Sequence, residues 1–240
     1  MSELAGLRTI VAGGGSGIGA ATAALLLERG AQVAVLDLDV SSVPTSCAAI
    51  QVDGRDPEAV KAAVAIAAAD GLTTVVNAIG IEYVETAAAT SADDWDRVVR
   101  TNMSSFHFVI AAALPYLGRG ASIVNVASQL ALVGAPRFSA YTAAKAGVVG
   151  YSRSLALELA WRGIRVNVVC PGAIDTPLLQ RQFADGPGPQ GSLDDLVALH
   201  PMGRLGAPGE IAEPIAFLCS DRASFITGSV LVADGGYTAQ

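Results

Sequence analysis

The chain has 240 residues, is 52% hydrophobic and carries a net charge of −7. That acidic balance, without any dense Lys/Arg cluster, argues against nucleic acid as a partner, and apolar runs as short as Val109–Leu114 argue against a membrane span. Three scattered cysteines (Cys47, Cys170, Cys219) and two histidines without ligand-spaced neighbours argue against a disulfide framework or a metal site, so a cytoplasmic protein with buried free thiols is expected.

Met1–Arg8 lacks the charged start and apolar stretch of a secretory leader. A first strand is predicted at Arg8–Ala12. It runs into Val11-Ala12-Gly13-Gly14-Gly15-Ser16-Gly17-Ile18-Gly19 and then a helix over Gly17–Arg29. Glycines there let the backbone turn tightly and approach a pyrophosphate, whose charge a helix N-terminus favours. The spacing fits G-x-x-x-G-x-G at Gly13, Gly17 and Gly19, while Ala20 in place of Lys excludes a P-loop. Taken alone, such a run also fits a plain flexible turn. The second strand, Gln32–Asp37, ends on a carboxylate twenty residues after Gly17, suited to accept hydrogen bonds from an adenine-ribose diol. A ribose 2′-phosphate facing it at ~4 Å, with an effective dielectric near 20, would be repelled by roughly 4 kcal/mol. No Arg or Lys in Asp37–Cys47 offsets that repulsion, so NAD is expected over NADP.

Leu38–Gln51 is too short for a full helix before the third strand, Ala48–Val52. A helix over Pro57–Ala69 and a strand over Thr73–Asn77 follow. Ser91-Ala92-Asp93-Asp94 fits a capping box opening a long helix, Ala92–Leu117, which gives those carboxylates a structural role. The fifth strand, Ser122–Ala127, is followed by Ser128, and the helix Ser139–Trp161 places Tyr141 and Lys145 four apart on one face. After the strand Arg165–Val169 comes an irregular stretch, Asp175–Ala207. Its Gly/Pro-rich part, Phe183–Ser192, reads as a surface loop or as a mobile cover over a site. A helix over Gly209–Ser220 and a strand over Val230–Val232 complete the series. Alternation of near-continuous apolar strands with helices predicts one α/β domain over residues 1–240, a Rossmann-type doubly wound parallel sheet of about seven strands with helices on both faces.

Ordered along the chain, Gly13–Gly19, Asp53, Asn77-Ala78-Ile79-Gly80, Asn102, Ser128, Tyr141 with Lys145, Pro171-Gly172 with Thr176, and Ile226-Thr227-Gly228 before Asp234-Gly235-Gly236 resemble the short-chain dehydrogenase/reductase family over nearly the whole length. The resemblance implies hydride transfer between a nicotinamide cofactor and an alcohol or ketone carbon. Tyr141 would be the general acid/base, Ser128 would hydrogen-bond the reacting oxygen, and Asn102 would hold a water of the proton relay. Lys145, besides binding the nicotinamide ribose, would acidify Tyr141: a cation at ~4 Å is worth up to roughly 4 kcal/mol, enough to bring a phenol toward ~7 when desolvation is ignored. The resemblance assigns cofactor contacts to Gly13, Gly15, Ser16, Gly17, Ile18, Gly19, Asp37, Leu38, Asp53, Gly54, Asn77, Ala78, Gly80, Pro171, Gly172, Ile174 and Thr176. Asn102 as a helix kink and Thr176 as a helix cap are the structural alternatives.

Three positions depart from the family pattern: Ala12 replaces a Thr, Ala78-Ile79 replaces Asn-Ala, and the Leu38–Gln51 segment is short. The expected substrate pocket draws on Ile81–Val84, Gln129–Phe138 and Leu178–Met202. It is mostly apolar (Leu130, Leu132, Val133, Phe138, Leu178, Leu179, Leu199, Met202), with Glu82, Arg137 and Arg181 as its charges. Such a pocket suits a medium-sized secondary alcohol or ketone. His200 is assigned to a loop or an interface. Family resemblance also implies a homotetramer. Two alternatives stand beside this reading: a 3-oxoacyl-carrier-protein reductase, disfavoured by Asp37 and the acidic charge, and a silent dinucleotide-sensing protein, disfavoured by the intact Asn102, Ser128, Tyr141 and Lys145.

Overall fold

A computed structural model of the chain describes residues 3–184, 186 and 188–240. Seven parallel strands form one sheet: β1 (Arg8–Ala12), β2 (Gln32–Asp37), β3 (Ala48–Gln51), β4 (Leu72–Asn77), β5 (Leu117–Val126), β6 (Arg165–Pro171) and β7 (Val230–Ala233). Their spatial order is β3-β2-β1-β4-β5-β6-β7. The chain therefore winds outward from β1 in one direction and from β4 in the other. A crevice opens where the direction reverses, at the carboxyl ends of β1 and β4.

The apolar runs of the strands feed two cores. Ile10, Ala12, Val75 and Ile123 face one side, packed by α2 (Pro57–Ala67), α4 (Ser105–Ala113) and the end of α5 (Ser139–Leu159). Val11, Val35, Val76 and Val124 face the other, packed by α1 (Gly17–Glu28) and α8 (Pro208–Cys219). Successive strand residues point to opposite faces, so a sheet covered on both sides needs apolar side chains at every position. Each fully buried aliphatic side chain contributes ~1.5–3 kcal/mol. The guanidinium of Arg165 closes the exit of α8 by donating to the carbonyls of Leu218 and Ser220 at 2.8 and 3.0 Å. The three cysteines are buried free thiols.

The long helix expected over Ala92–Leu117 is divided. α3 (Ala92–Val99) passes through one π-helical turn (Arg100–Ser104) into α4, which ends at Ala113. Thr101, Asn102 and Ser105 each return a side-chain hydrogen bond to the carbonyl four residues back, and such bonds compete with the regular ladder. Pro115, unable to continue a helix, ends α4 and lets β5 begin at Leu117, five residues earlier than expected. Ser91 caps α3 by accepting from Asp94 N at 3.0 Å, and its hydroxyl donates to the Asp94 carboxylate. The stretch after β6 holds two short helices, α6 (Pro177–Gln180) and α7 (Leu193–Ala198). Part of the Gly/Pro-rich tract, residues 185 and 187, lies outside the described residues. No described helix is long and apolar enough to cross a membrane.

Candidate active site

The crevice forms a cleft of about 970 Å³. One wall is the turn between β1 and α1. Gly13 sits at φ 81°, and a Cβ there would lie 2.5 Å from the Ile79 nitrogen; at Gly19 a Cβ would lie 1.9 Å from the Gly13 carbonyl oxygen. Only hydrogen fits at these points, which lets the turn lie against both the β4 exit and its own helix. α1 starts at Ser16 without a side-chain cap and with no acidic residue in its first turn. Its leading N–H groups thus face the cleft, the arrangement an anion needs.

Asp37, at the end of β2, accepts from Gly15 N at 2.8 Å through one oxygen and from Asp39 N at 3.1 Å through the other. Both bonds aim its carboxylate along the cleft rim. Asp53 is gripped by Arg55, whose guanidinium donates to both its oxygens, and this holds the Asp53 carboxyl below the usual range. Ile79, the bulky departure at the β4 exit, is accommodated by Gly54, where a Cβ would meet the Ile79 side chain at 2.7 Å. This end of the cleft therefore absorbs the extra bulk by pairing it with a glycine.

The opposite wall comes from the carboxyl ends of β5 and β6 and the start of α5. Ser128 Oγ accepts from Leu130 N at 3.1 Å and also faces the Tyr141 hydroxyl. Lys145 is buried, with Nζ 3.0 Å from the Val126 carbonyl oxygen and 5.9 Å from the centroid of the Tyr141 ring. Burial pushes the Lys145 ammonium down to about 8. It also pushes the Tyr141 phenol well above its ordinary value, helped by the negative charge of Glu82 and opposed by the Ser128 hydrogen bond. The acidified phenol expected from the Tyr–Lys pairing is thus not a property of the chain by itself. Desolvation, set aside in that expectation, is the largest cause acting on the phenol.

The cleft is lined by Gly13, Gly15, Ser16, Gly17, Ile18, Gly19, Asp37, Leu38, Asp53, Gly54, Ala78, Gly80, Ser128, Tyr141, Lys145, Pro171, Gly172, Ile174 and Thr176. Two expected site residues stand behind its wall. Asn77 turns its amide into the sheet, donating to Asn125 Oδ1 at 2.8 Å. Asn102, in the π turn, accepts from Ile81 N at 3.1 Å and donates to the Val98 carbonyl, so its side chain fastens the segment after β4. Thr176 both lines the cleft and caps α6 by accepting from Leu179 N.

The end of the cleft where the substrate pocket was expected is less apolar than expected. Leu130, Phe138, Leu178 and Leu179 line it together with Leu196, whereas Leu132, Val133, Leu199 and Met202 do not. The last four stand partly exposed, because the chain turns them away from the crevice. Glu82, Gln129 and Gln182 bring polar atoms to the lining. Sequence reasoning named Glu82 as a charge of this pocket, whereas Gln129 and Gln182 fell within its expected segments without a role of their own. Arg181 Nε donates to the Pro177 carbonyl. His200 is buried, its Nε2 accepting from Ala173 N and its Nδ1 paired with the Leu196 carbonyl. This tie joins the β6 exit to α7 and leaves neither ring nitrogen for proton transfer.

The sequence matches the family described as enoyl-(acyl carrier protein) reductase over residues 12–238. It is 39% identical to a cyclohexanol dehydrogenase of an Acinetobacter species, with 96% of this chain and 94% of that protein covered. It is also 39% identical to a 2,5-dichloro-2,5-cyclohexadiene-1,4-diol dehydrogenase of Sphingobium indicum, with 100% of both covered. The fold superposes on a ligand-free aldohexose dehydrogenase of Thermoplasma acidophilum with a TM-score of 0.93, at 33% identity, covering 100% of this chain and 96% of that one. The chain belongs to the short-chain dehydrogenase/reductase family. It is an oxidoreductase of the alcohol–ketone type.

Proposed function

We propose that the protein is an NAD-preferring secondary-alcohol dehydrogenase and ketone reductase in which Tyr141 is the general acid/base. The observation that carries this reading is the meeting of Tyr141, Ser128 and Lys145 on one wall of a cleft whose other wall is an uncapped helix N-terminus. The glycine turn and the free N–H groups of α1 fit a dinucleotide pyrophosphate, and Asp37 fits the adenine ribose. Gly172, Ile174 and Thr176 would flank the nicotinamide. A nicotinamide dinucleotide bound there supplies the carbon that accepts or gives the hydride.

The chain's own residues handle the proton and the charge. Buried Tyr141 keeps its Oη proton at neutral pH, the form that donates to a substrate oxygen gaining charge as a ketone is reduced. Ser128 Oγ donates a second hydrogen bond to that oxygen and stabilises it as negative charge develops. In the oxidation direction Tyr141 must take a proton, and the Lys145 ammonium beneath its ring favours the phenolate this requires. Asn102 holds Ile81 N–H and so keeps the cleft floor in register.

The named activities of the relatives, on cyclic alcohols and diols, make cyclohexanol and its derivatives the first substrates to try. The protein is further read as cytoplasmic and as a homotetramer. Exposed Leu157, Trp161 and Phe225 support contact with a second copy. Cofactor choice is tested by following nicotinamide absorbance with NAD⁺ and NADP⁺ against a panel of secondary alcohols. Because the Asp37 repulsion of roughly 4 kcal/mol amounts to about a thousandfold, kcat/KM should favour NAD⁺ at least hundredfold, and Asp37→Ser should narrow that gap to under tenfold. A severalfold preference of the wild-type protein for NADP⁺ would contradict the assignment.

A further inference from the structure

We propose that Glu82 is a specificity-determining residue that receives a second hydroxyl group of the substrate, so that diols and other polyhydroxylated alcohols are preferred over alcohols with a bare hydrocarbon ring. This rests on the alcohol–ketone reading of the same site. Glu82 lies on the segment leaving β4, which Asn102 pins through Ile81 N–H. Its carboxylate lines the cleft beside Tyr141. No described Arg or Lys pairs with it; one oxygen accepts from the Gln182 side-chain amide, contributed by the turn after α6, and the other accepts from no described group. A half-buried carboxylate without a cation is disfavoured, and burial, opposed by the Gln182 hydrogen bond, pushes it up to about 7. Such a group is satisfied by a donor arriving from the cleft.

Gln129 points the same way. It follows Ser128, is buried, lines the cleft, and its side-chain oxygen has no hydrogen-bond partner. Glu82 thus brings an acceptor without a full set of donors to the cleft that Ser128 and Tyr141 line. Leu130, Phe138, Leu178, Leu179 and Leu196 also line the cleft and suit a carbon ring. A substrate carrying only the reacting hydroxyl would leave Glu82 facing hydrocarbon. One with a further hydroxyl would give the carboxylate a charge-assisted hydrogen bond. Sites built around such a bond discriminate strongly against analogues that lack the donor.

The test compares kcat/KM for cyclohexanol with that for 1,2-, 1,3- and 1,4-cyclohexanediol, in wild-type protein and in Glu82→Leu, Glu82→Gln and Gln182→Leu. The wild-type ratio of the best diol to cyclohexanol should exceed ten, and Glu82→Leu should lower it at least tenfold because the loss on the diol exceeds any loss on cyclohexanol. Glu82→Gln, which keeps volume and fold but removes the anion, should give an intermediate ratio. Gln182→Leu, which removes only the neighbour, should change both substrates in proportion. If Glu82 merely fastens the turn after α6, Glu82→Leu and Gln182→Leu will behave alike and leave the ratio unchanged, which overturns the assignment. A wild-type protein that oxidises cyclohexanol without favouring any diol overturns it too. Failure to oxidise any alcohol in the panel would instead refute the underlying alcohol–ketone reading.

Discussion

Glu82 shows how much one side chain can tell once its surroundings are known. Burial raises its pKa from 4.5 to about 7. The folded chain therefore binds more protons than the unfolded chain between those values. Stability from this group is fully present below pH 4.5 and is lost as pH rises through 7, by an amount of order 3 kcal/mol. Carboxylates held low by partners, such as Asp53 and Glu210, change stability only at lower pH. Urea midpoints measured from pH 5 to pH 8 should fall for wild-type protein relative to Glu82→Gln. Parallel curves for the two would mean that the carboxylate is well solvated. The sequence marked Glu82 as a charge in an apolar segment, but it held no sign of the desolvation or of Gln182, a hundred residues away, because both arise only when the segment after α6 folds over β4. By contrast Tyr141 and Lys145 were legible, since four residues on a helix suffice to place them together.

Elements whose origin is local were read directly, and those set by side-chain competition were not. The turn at Gly13–Gly19, the end of β2 at Asp37 and the helix α5 follow from glycine spacing and hydrophobic period, and they stand where expected. The break of the long helix at Asn102 was offered by the sequence only as an alternative to a relay role, because Thr101, Asn102 and Ser105 choose between solvent and their own backbone only in the folded context. The side chain of Asn77 is a similar case: the facing Asn125 draws its amide into the sheet, which leaves the backbone contact expected of Asn77 untouched. The close fit of α1 against its turn gives a direct test at this level. Gly19→Ala sets a methyl 1.9 Å from the Gly13 carbonyl oxygen, so the turn must move. NAD⁺ affinity, followed by fluorescence titration, should weaken at least tenfold while far-UV circular dichroism is retained. Unchanged affinity would show that the turn is not the pyrophosphate seat.

The sheet as a whole joins two chemistries that the chain encodes far apart. In the proposed mechanism β1, β2 and β4 carry the wall that would seat a dinucleotide, and β5, α5 and β6 carry the groups that would hold a proton. The order β3-β2-β1-β4-β5-β6-β7 is what brings residue 17 opposite residue 141. If that division is right, proton transfer can be removed without touching the cofactor seat. The most direct measurement sets turnover on a secondary alcohol beside NAD⁺ affinity in Tyr141→Phe, which removes one oxygen atom and leaves the ring. General acid/base catalysis contributes 10²–10⁴-fold, so kcat should fall at least hundredfold with the dissociation constant for NAD⁺ changed less than threefold. A Tyr141→Phe protein that retains wild-type turnover within tenfold would contradict the role given to the phenol and, with it, the mechanism built on this cleft.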